Sequence, residues 1–254
     1  MNVPLPVRQI AVVLGILLLW AAGDALHWFN PDVIPPIAEV GQAAVLLFDR
    51  PELWPAIWYT LRDSLAGVAI AASIGVPLGL WIGMFPRVEK STRIILDFGR
   101  AFPVVALVPI FILIIGTNHT TKIAMISIAC FFPILVQTIY GARRLDPTVV
   151  DTVTSFRIPA TLRFRKVILP ASLPFIATGM RLSLSISILV AVAAEILTQV
   201  PGLGTQVSLA RTFNEVAVAF VYTIYAGLLG VVLSSAWDFV ERRLLNWHHR
   251  EAKP

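Results

Sequence analysis

The chain has 254 residues, of which 57% are hydrophobic and only 14% are charged, and its mean hydropathy is +0.80. This balance excludes an ordinary soluble globular domain and predicts an integral membrane protein. The net charge of +5 does not indicate nucleic acid, since the cations fall between apolar runs, and the single cysteine, Cys130, excludes an internal disulfide and a cysteine-built metal site.

Six apolar runs are long enough to cross a bilayer as helices. None alternates with a period of two, and backbone groups in hydrocarbon must be hydrogen-bonded within the protein, so helices are predicted. The predicted fold class is an all-α integral membrane protein, a six-helix bundle in one domain over residues 1–254. The predicted spans are Gln9–Leu26, Thr60–Phe85, Ile94–Gly116, Lys122–Ala142, Ala171–Gln199 and Val216–Val240.

The distribution of Lys and Arg predicts the orientation of these spans. Most of the 20 basic residues lie in segments on the same side as the N-terminus. The segments on the other side contain only Arg50, Lys122 and Arg211. This bias predicts that both termini are cytoplasmic. On the outer side we expect an amphipathic helix at Ile37–Phe48, and either a tight turn with a short helix or an ordinary connector after Gly202 and Gly204.

A polar, basic segment, residues 146–168, separates the fourth and fifth spans. Asp146 is a possible N-cap, and Pro147 suits the first helical position. Pro159 is expected to end this helix, and Thr161–Ile168 to form a second short one. A short helix outside the membrane favours burial of its apolar edge against another protein. The edge comprises Val149, Val150, Val153 and Phe156.

This segment resembles the cytoplasmic loop of permease subunits of bacterial ABC importers. The family pattern is Glu-Ala-Ala, three residues, Gly, nine residues, then Ile-x-Leu-Pro. Asp151 stands at the Glu position, Leu169 and Pro170 stand at the end, and Arg157 replaces the glycine. The resemblance implies that the segment is the coupling helix seated in a groove of the ATPase subunit. The implied coupling residues are Val150, Asp151, Val153, Thr154, Phe156, Arg157, Ile158, Leu169 and Pro170.

Other stretches resemble the nitrate, sulfonate and taurine branch of these permeases. They cover the region after the first span, the third span, the end of the fifth span and the following turn. The residues are Ile34, Pro35 and Pro36, then Arg100, Pro103, Ala106, Leu107 and Pro109, then Ala194, Glu195 and Ile196, and finally Gly202, Leu203 and Gly204.

The resemblance implies a non-catalytic permease in a bacterial inner membrane that moves a small, anionic solute such as nitrate, a sulfonate or taurine. It implies two cytoplasmic ABC ATPases, a second permease in a homodimer or heterodimer, and an extracytoplasmic binding protein. No cofactor, metal or nucleic acid is expected on this subunit, because ATP and Mg²⁺ would be used by the ATPases. The chain contains no phosphate-binding loop of its own.

Charged residues within spans are candidate functional residues, since they are costly in lipid. Arg181 falls near mid-membrane, where it either lines a cavity that passes an anion or makes a structural pair. Glu195 is expected near the outer surface as a gate or packing residue. Arg100 is expected to be snorkelled or paired near Asp97, and Pro103 is expected to kink the third span.

Two questions remain at the level of sequence. Gly75, Gly79 and Gly83 form a close-packing stripe, which lies either within the subunit or across a dimer. A self-contained secondary transporter or channel is the main alternative function. The absence of an obvious pair of buried acids argues against that alternative.

Overall fold

The computed structural model describes residues 5–145 and 147–245, and within them the regular structure is entirely helical. This confirms the predicted fold class. The helices are α1 Leu5–Ala25, α2 Ile37–Leu47, α3 Leu53–Met84, α4 Pro86–Ala101, α5 Val108–Ile115, α6 His119–Arg143, α7 Pro147–Ser155, α8 Ala160–Arg163, α9 Leu169–Thr198, α10 Leu203–Thr212 and α11 Val216–Leu244.

Within the part of the chain that the structure describes, five helical segments are long and apolar enough to span a membrane, and a bent pair provides a sixth if it is counted as one span. Five of the six predicted spans therefore correspond to long helices. The five segments are Val7–Ala25, Leu53–Met84, His119–Arg143, Ala160–Thr198 and Val216–Leu244.

The third predicted span is not one straight helix. The structure has α4, then a break, then the segment Val104–Ile115, which is bent by 81° relative to α4. The break follows from Pro103, since proline disfavours helical geometry in the residue before it, and Phe102 is extended with ψ 126°. Pro103 therefore kinks the chain as expected, but more sharply than a span from Ile94 to Gly116 allows.

The glycine stripe packs inside the subunit. A Cβ atom placed on Gly79 would lie 2.7 Å from the Cβ of Thr138, and one on Gly83 would lie 2.6 Å from the Cβ of Ala142. Both partners belong to α6, so the glycines let the backbones of α3 and α6 approach closely. This contact forms the centre of the bundle and resolves the sequence question in favour of packing within the chain.

Two helices outside the long spans match their predictions. The helix expected at Ile37–Phe48 is α2, which buries Val40 and Leu47 and accepts a hydrogen bond at the Ala44 carbonyl from the Tyr225 hydroxyl, at 2.6 Å. The turn after Gly202 leads directly into α10. Both helices pack against α11, so they are parts of the folded core.

The second short helix, expected at Thr161–Ile168, is not separate from the fifth span. The chain stays helical from Ala160 to Thr198, through a π-helical turn at Phe164–Ile168. Pro170 has no N–H to donate, and the wider π turn just before it shifts the hydrogen-bond pattern so that the helix can continue. The predicted boundary at Pro170 is therefore wrong.

Candidate coupling surface and buried charge network

The α7 segment lies at one end of the bundle, which we call the coupling end. Its apolar edge is divided between two environments. Val153 is only 5% exposed, whereas Phe156 is 78% exposed. Val153 is therefore buried against its own subunit and is not free to contact a partner. Phe156, which follows α7 directly, is the most exposed apolar side chain of this edge, and Val149 is 39% exposed.

The remaining predicted coupling residues surround this exposed phenylalanine. Asp151, Thr154 and Arg157 are exposed, and the Thr154 hydroxyl donates to the carbonyl of Val150 at 2.8 Å. The predicted N-cap, Asp146, lies outside the described residues. Val150, Ile158, Leu169 and Pro170 are half-buried. The outward surface of α7 is thus polar at its sides and apolar at Phe156.

Arg157 ends α7 in the left-handed conformation, with φ 49°. The Ile158 N–H donates to the carbonyl of Val153, and the Arg157 N–H donates to the carbonyl of Thr154, both at 3.1 Å. This pair of bonds is the Schellman motif, whose left-handed residue is usually glycine. The departure from the family pattern therefore keeps the backbone geometry that a glycine would give. An arginine there incurs the steric cost of a Cβ atom, about 1–2 kcal/mol.

A cavity of about 530 Å³ lies behind α7. Its walls come from α7, α8, the π turn and the facing ends of α3 and α6. The lining residues include Val150, Ala160, Arg163, Ile168, Gly83 and Ala142. The coupling helix is thus incompletely packed against the bundle.

The opposite end of α9, which we call the network end, is built around a buried lysine. Lys122 is fully buried, and its Nζ atom lies 2.7 Å from Asp63 Oδ2 and 2.9 Å from Glu195 Oε1. It also donates to the carbonyl oxygen of Pro201 at 3.1 Å. An ammonium group has three donors, and here each has an acceptor. Lys122 therefore joins α3, α6, α9 and the loop before α10.

Glu195 is equally well satisfied. Thr60 donates its hydroxyl to Glu195 Oε1 and the Gly204 N–H donates to Oε2, both at 2.8 Å. The Thr60 hydroxyl in turn accepts from the Leu203 N–H at 2.9 Å. A Cβ atom on Gly202 would lie 2.1 Å from Glu195 Oε1, so this glycine permits the loop to cover the carboxylate.

Asp63 completes the network on α3 and connects it to the protein surface. Its carboxylate lies 2.8 Å from the guanidinium of Arg62 and 2.6 Å from His119 Nδ1. Asp63 is fully buried, whereas the side chains of Arg62 and His119 are 41% and 35% exposed. Buried charges are tolerated only when paired and hydrogen-bonded. Here two acids are balanced by Lys122 and Arg62 without counting His119.

The sequence interpretation of this end was incomplete. Glu195 was expected near one surface as a gate or packing residue, and the structure shows it packed and fully hydrogen-bonded. On sequence grounds Lys122 counts as a loop cation, and Asp63 is expected, with Arg62, to be snorkelled or paired at the outer boundary. The signal was available, since the side chain of Asn118 accepts from the Thr121 N–H and caps α6, which makes Lys122 helical. The sequence argument that the chain lacks a pair of buried acids is wrong, because Asp63 and Glu195 are both fully buried and share Lys122.

Arg181 makes an ion pair between α9 and α11. Its Nε atom lies 2.8 Å from Asp238 Oδ1, and its guanidinium also donates to Glu241. The Arg181 side chain is still 44% exposed. The structural pair that the sequence left open is therefore present. Because two carboxylates surround one guanidinium, the site gives little support to the suggestion that Arg181 attracts an anion.

A groove runs along the same two helices, towards mid-span from Arg181. It is a cavity of about 550 Å³, and the hydroxyls of Ser185 and Ser234 hydrogen-bond across it at 3.0 Å. Ser185 follows Arg181 by one helical turn, and Ser234 precedes Asp238 by one turn. Arg181 thus has structural partners, and the groove begins one helical turn away from it, at Ser185.

Arg100 and Pro103 lie at the end of α4, apart from the Lys122 network and the Arg181 ion pairs. Arg100 pairs with Asp97 at 2.8 Å, with both side chains about half exposed. This is the pairing that the sequence favoured. The structure therefore distributes the four predicted pathway residues over three places and does not assemble them into one site.

Comparison with known proteins finds transport permeases that are similar to this chain over most of its length. The family model for the inner membrane component of binding-protein-dependent transport systems matches residues 75–246. The chain is 31% identical to the putative aliphatic sulfonates transport permease protein SsuC of Bacillus subtilis (strain 168), over 92% of this chain and 85% of that protein. It is 26% identical to the taurine transport system permease protein TauC of Escherichia coli (strain K12), over 95% and 91%.

A solved structure of the MetNI methionine ABC transporter, in an inward-facing conformation, shares the fold. The TM-score is 0.64 with 16% sequence identity, over 77% of this chain and 98% of that chain. At this identity the likeness extends to the fold alone.

Proposed function

The chain belongs to the family of inner membrane components of binding-protein-dependent transport systems, and on that premise we propose that it moves a small sulfonate or related anion into the cytoplasm. It is a multi-pass membrane protein and a permease subunit of an ABC importer. The solute class rests on one observation, the 31% identity to a sulfonate permease along nearly the whole chain. The paired Arg181 does not contribute to that argument.

The proposed assembly has two such permeases, two cytoplasmic ABC ATPases and an extracytoplasmic binding protein. The coupling end would face the cytoplasm, in line with the basic residues of the segment 146–168 and the predicted position of both termini. Phe156 supports the ATPase contact, because a large apolar side chain at 78% exposure beside Asp151 and Arg157 suits burial in a partner's groove.

ATP and Mg²⁺ would act on the ATPases, and the permease itself would make and break no covalent bond. Closure of the ATPases would draw the α7 helices together and switch the bundle between inward-facing and outward-facing states. A ligand can shift such an equilibrium only by its differential affinity for the two states. In this scheme, ATP and the loaded binding protein supply that difference.

A self-contained secondary transporter is the second candidate, and one observation favours it. Buried charges in spanning helices often mark ion or proton pathways, and Asp63, Lys122 and Glu195 are such charges. Here Lys122 binds both acids, Asp63 is also held by Arg62 and His119, and Glu195 is also held by Thr60 and the Gly204 N–H. This arrangement suits a fixed structural role more than a site that must bind and release an ion.

Reconstitution separates the two candidates. The permease, a cognate ABC ATPase and a sulfonate-binding protein are placed in liposomes with labelled taurine or an alkanesulfonate. We expect uptake that requires ATP inside the vesicle and binding protein outside. Uptake that survives removal of the ATPase would favour the secondary transporter, and ATP-dependent uptake of an uncharged solute in preference to sulfonates would refute the proposed cargo.

A further inference from the structure

One unbroken helix joins the two ends of the subunit. The helical stretch Ala160–Thr198 has 39 residues, and at 1.5 Å per residue it is about 58 Å long. It begins two residues after Ile158, which closes the Schellman motif of α7, and it ends just beyond Glu195. No loop interrupts the path from the coupling end to the network end.

The two ends of this helix are held very differently. At the network end, Glu195 binds Lys122 of α6, Thr60 of α3 and the backbone of Gly204 at the start of α10. Breaking any one of these contacts leaves a buried charge or donor without a partner, which is costly. The helix end therefore moves together with α3, α6 and α10.

At the coupling end, the same helix starts beside a cavity of about 530 Å³ and contains the π turn Phe164–Ile168. Such turns inside α-helices often lie at functional sites. The free volume gives α7 and α8 room to move against α3 and α6. The long helix is thus fixed at one end and has freedom at the other.

We propose that Lys122 is a positioning residue for signalling across the membrane. Through Glu195 and the Pro201 carbonyl it anchors the far end of the 160–198 helix to α6, α3 and the loop that leads into α10, so that contact of a loaded binding protein with the network end is transmitted to α7 and the ATPase. This inference rests on the proposed function, since it requires the binding protein and the ATPase. α10 offers an exposed surface for the contact, with Leu209 and Phe213 at 41% and 72% exposure.

The variants that test this proposal are chosen by the buried charges that each one leaves without a partner. Lys122→Met alone leaves Asp63 and Glu195 as two buried acids without their shared cation. Lys122→Met/Glu195→Gln removes one charge of each sign and leaves Asp63 paired with Arg62. Glu195→Gln keeps the pair of Lys122 and Asp63, but it replaces one of the two oxygens that accept from Lys122, Thr60 and the Gly204 N–H with an amide nitrogen. The double variant should therefore assemble better than Lys122→Met alone.

The experiment measures the ATPase rate of the full permease–ATPase complex in nanodiscs, with and without substrate-loaded binding protein. The readout is the ratio of stimulated to basal rate, because a merely structural role would not change it selectively. We expect this ratio to fall at least about fivefold in the double variant, the lower bound of typical allosteric couplings, and by a smaller factor in Glu195→Gln.

The matched control is Ser185→Ala/Ser234→Ala, which removes the hydrogen bond between α9 and α11 outside the network. It should keep the ratio of the unmodified complex. If the double variant does not assemble, Glu195→Gln carries the test. An unchanged ratio in a variant that has lost thermal stability would overturn the proposal. A failure of the proposed function itself is recognisable, because the unmodified complex would then show no stimulation at all.

Discussion

The two ends of the 160–198 helix differ in how completely their side chains are packed and paired within the subunit. At the network end, every donor of Lys122 and both oxygens of Glu195 have partners within the chain. At the coupling end, Phe156 is exposed, Arg157 adopts an uncommon backbone conformation, and a cavity lies behind α7. The difference teaches that one end is complete in the isolated subunit, whereas the other is shaped to be completed by a partner.

The largest effect is expected from removing Lys122, the cation of the network end. Lys122→Met should lower the free energy of unfolding by about 3–5 kcal/mol, because it leaves buried acids uncompensated. The midpoint of thermal unfolding in detergent measures the loss. Lys122→Met/Glu195→Gln should recover part of it, and strict additivity of the two single variants would contradict a coupled network.

A second variant tests how much the close packing of α3 on α6 contributes to stability, compared with the buried charges. Gly79→Ala would place a Cβ atom 2.7 Å from Thr138 and 2.9 Å from the Leu135 carbonyl. We expect a loss of about 1–3 kcal/mol from overpacking, less than for Lys122→Met. The same unfolding assay measures it. Gly227→Ala is the control, since a Cβ atom added there would meet no atom within 4 Å, and equal losses in both variants would argue against close packing of α3 on α6.

Docking of the coupling end on the ATPase is tested by the substitution Phe156→Asp. Since a buried aromatic anchor is worth about 2 kcal/mol or more, affinity for the ATPase should fall at least about tenfold. The stability of the permease alone should change little, because this side chain is exposed. Co-purification with tagged ATPase and titration in detergent measure the affinity.

Phe213→Asp provides the control for that experiment. Phe213 is also highly exposed, at 72%, but it lies at the network end. Its substitution should leave ATPase affinity unchanged. Equal affinity of the Phe156→Asp and Phe213→Asp variants for the ATPase would show that α7 does not dock through Phe156.

The smallest effect concerns the backbone at Arg157. Arg157→Gly should relieve the left-handed strain, and the free energy of unfolding should rise by at most about 1 kcal/mol, because glycine also costs more entropy on folding. Chemical unfolding of the complex measures the change. Arg157→Val, with a branched Cβ, should destabilise the same turn, and equal stability of the two variants would contradict the observed Schellman motif.

Much of the fold was predictable from local patterns. Long apolar runs predicted five of the spanning helices, and the amphipathic pattern after Pro36 predicted α2, whereas the glycines before α10 left a short helix and an ordinary connector both open. The sharp bend at Phe102 and Pro103 was underestimated. Proline indicates that a helix is disturbed, but the angle depends on the surrounding packing, which one sequence does not report.

The charge network was predictable only in part, because it depends on the relative depth of three helices. Counting basic residues for topology assigned Lys122 to a loop, and considering each span separately left Asp63 and Glu195 without a cation. Considering each span separately also left Asp238 and Glu241 of α11 unidentified as the partners of Arg181. In contrast, the spacing of the coupling loop singled out Arg157, and the structure explains that position by its φ of 49°.

The position of Lys122 also has a consequence for how the chain is made. A charged lysine in a membrane-spanning helix is costly unless it is paired. α3 precedes α6 in synthesis, so Asp63 is already present when Lys122 arrives, whereas Glu195 is added only with α9. The nascent chain can therefore neutralise each new charge with one that came before it, and the order of the helices along the sequence becomes an order of assembly.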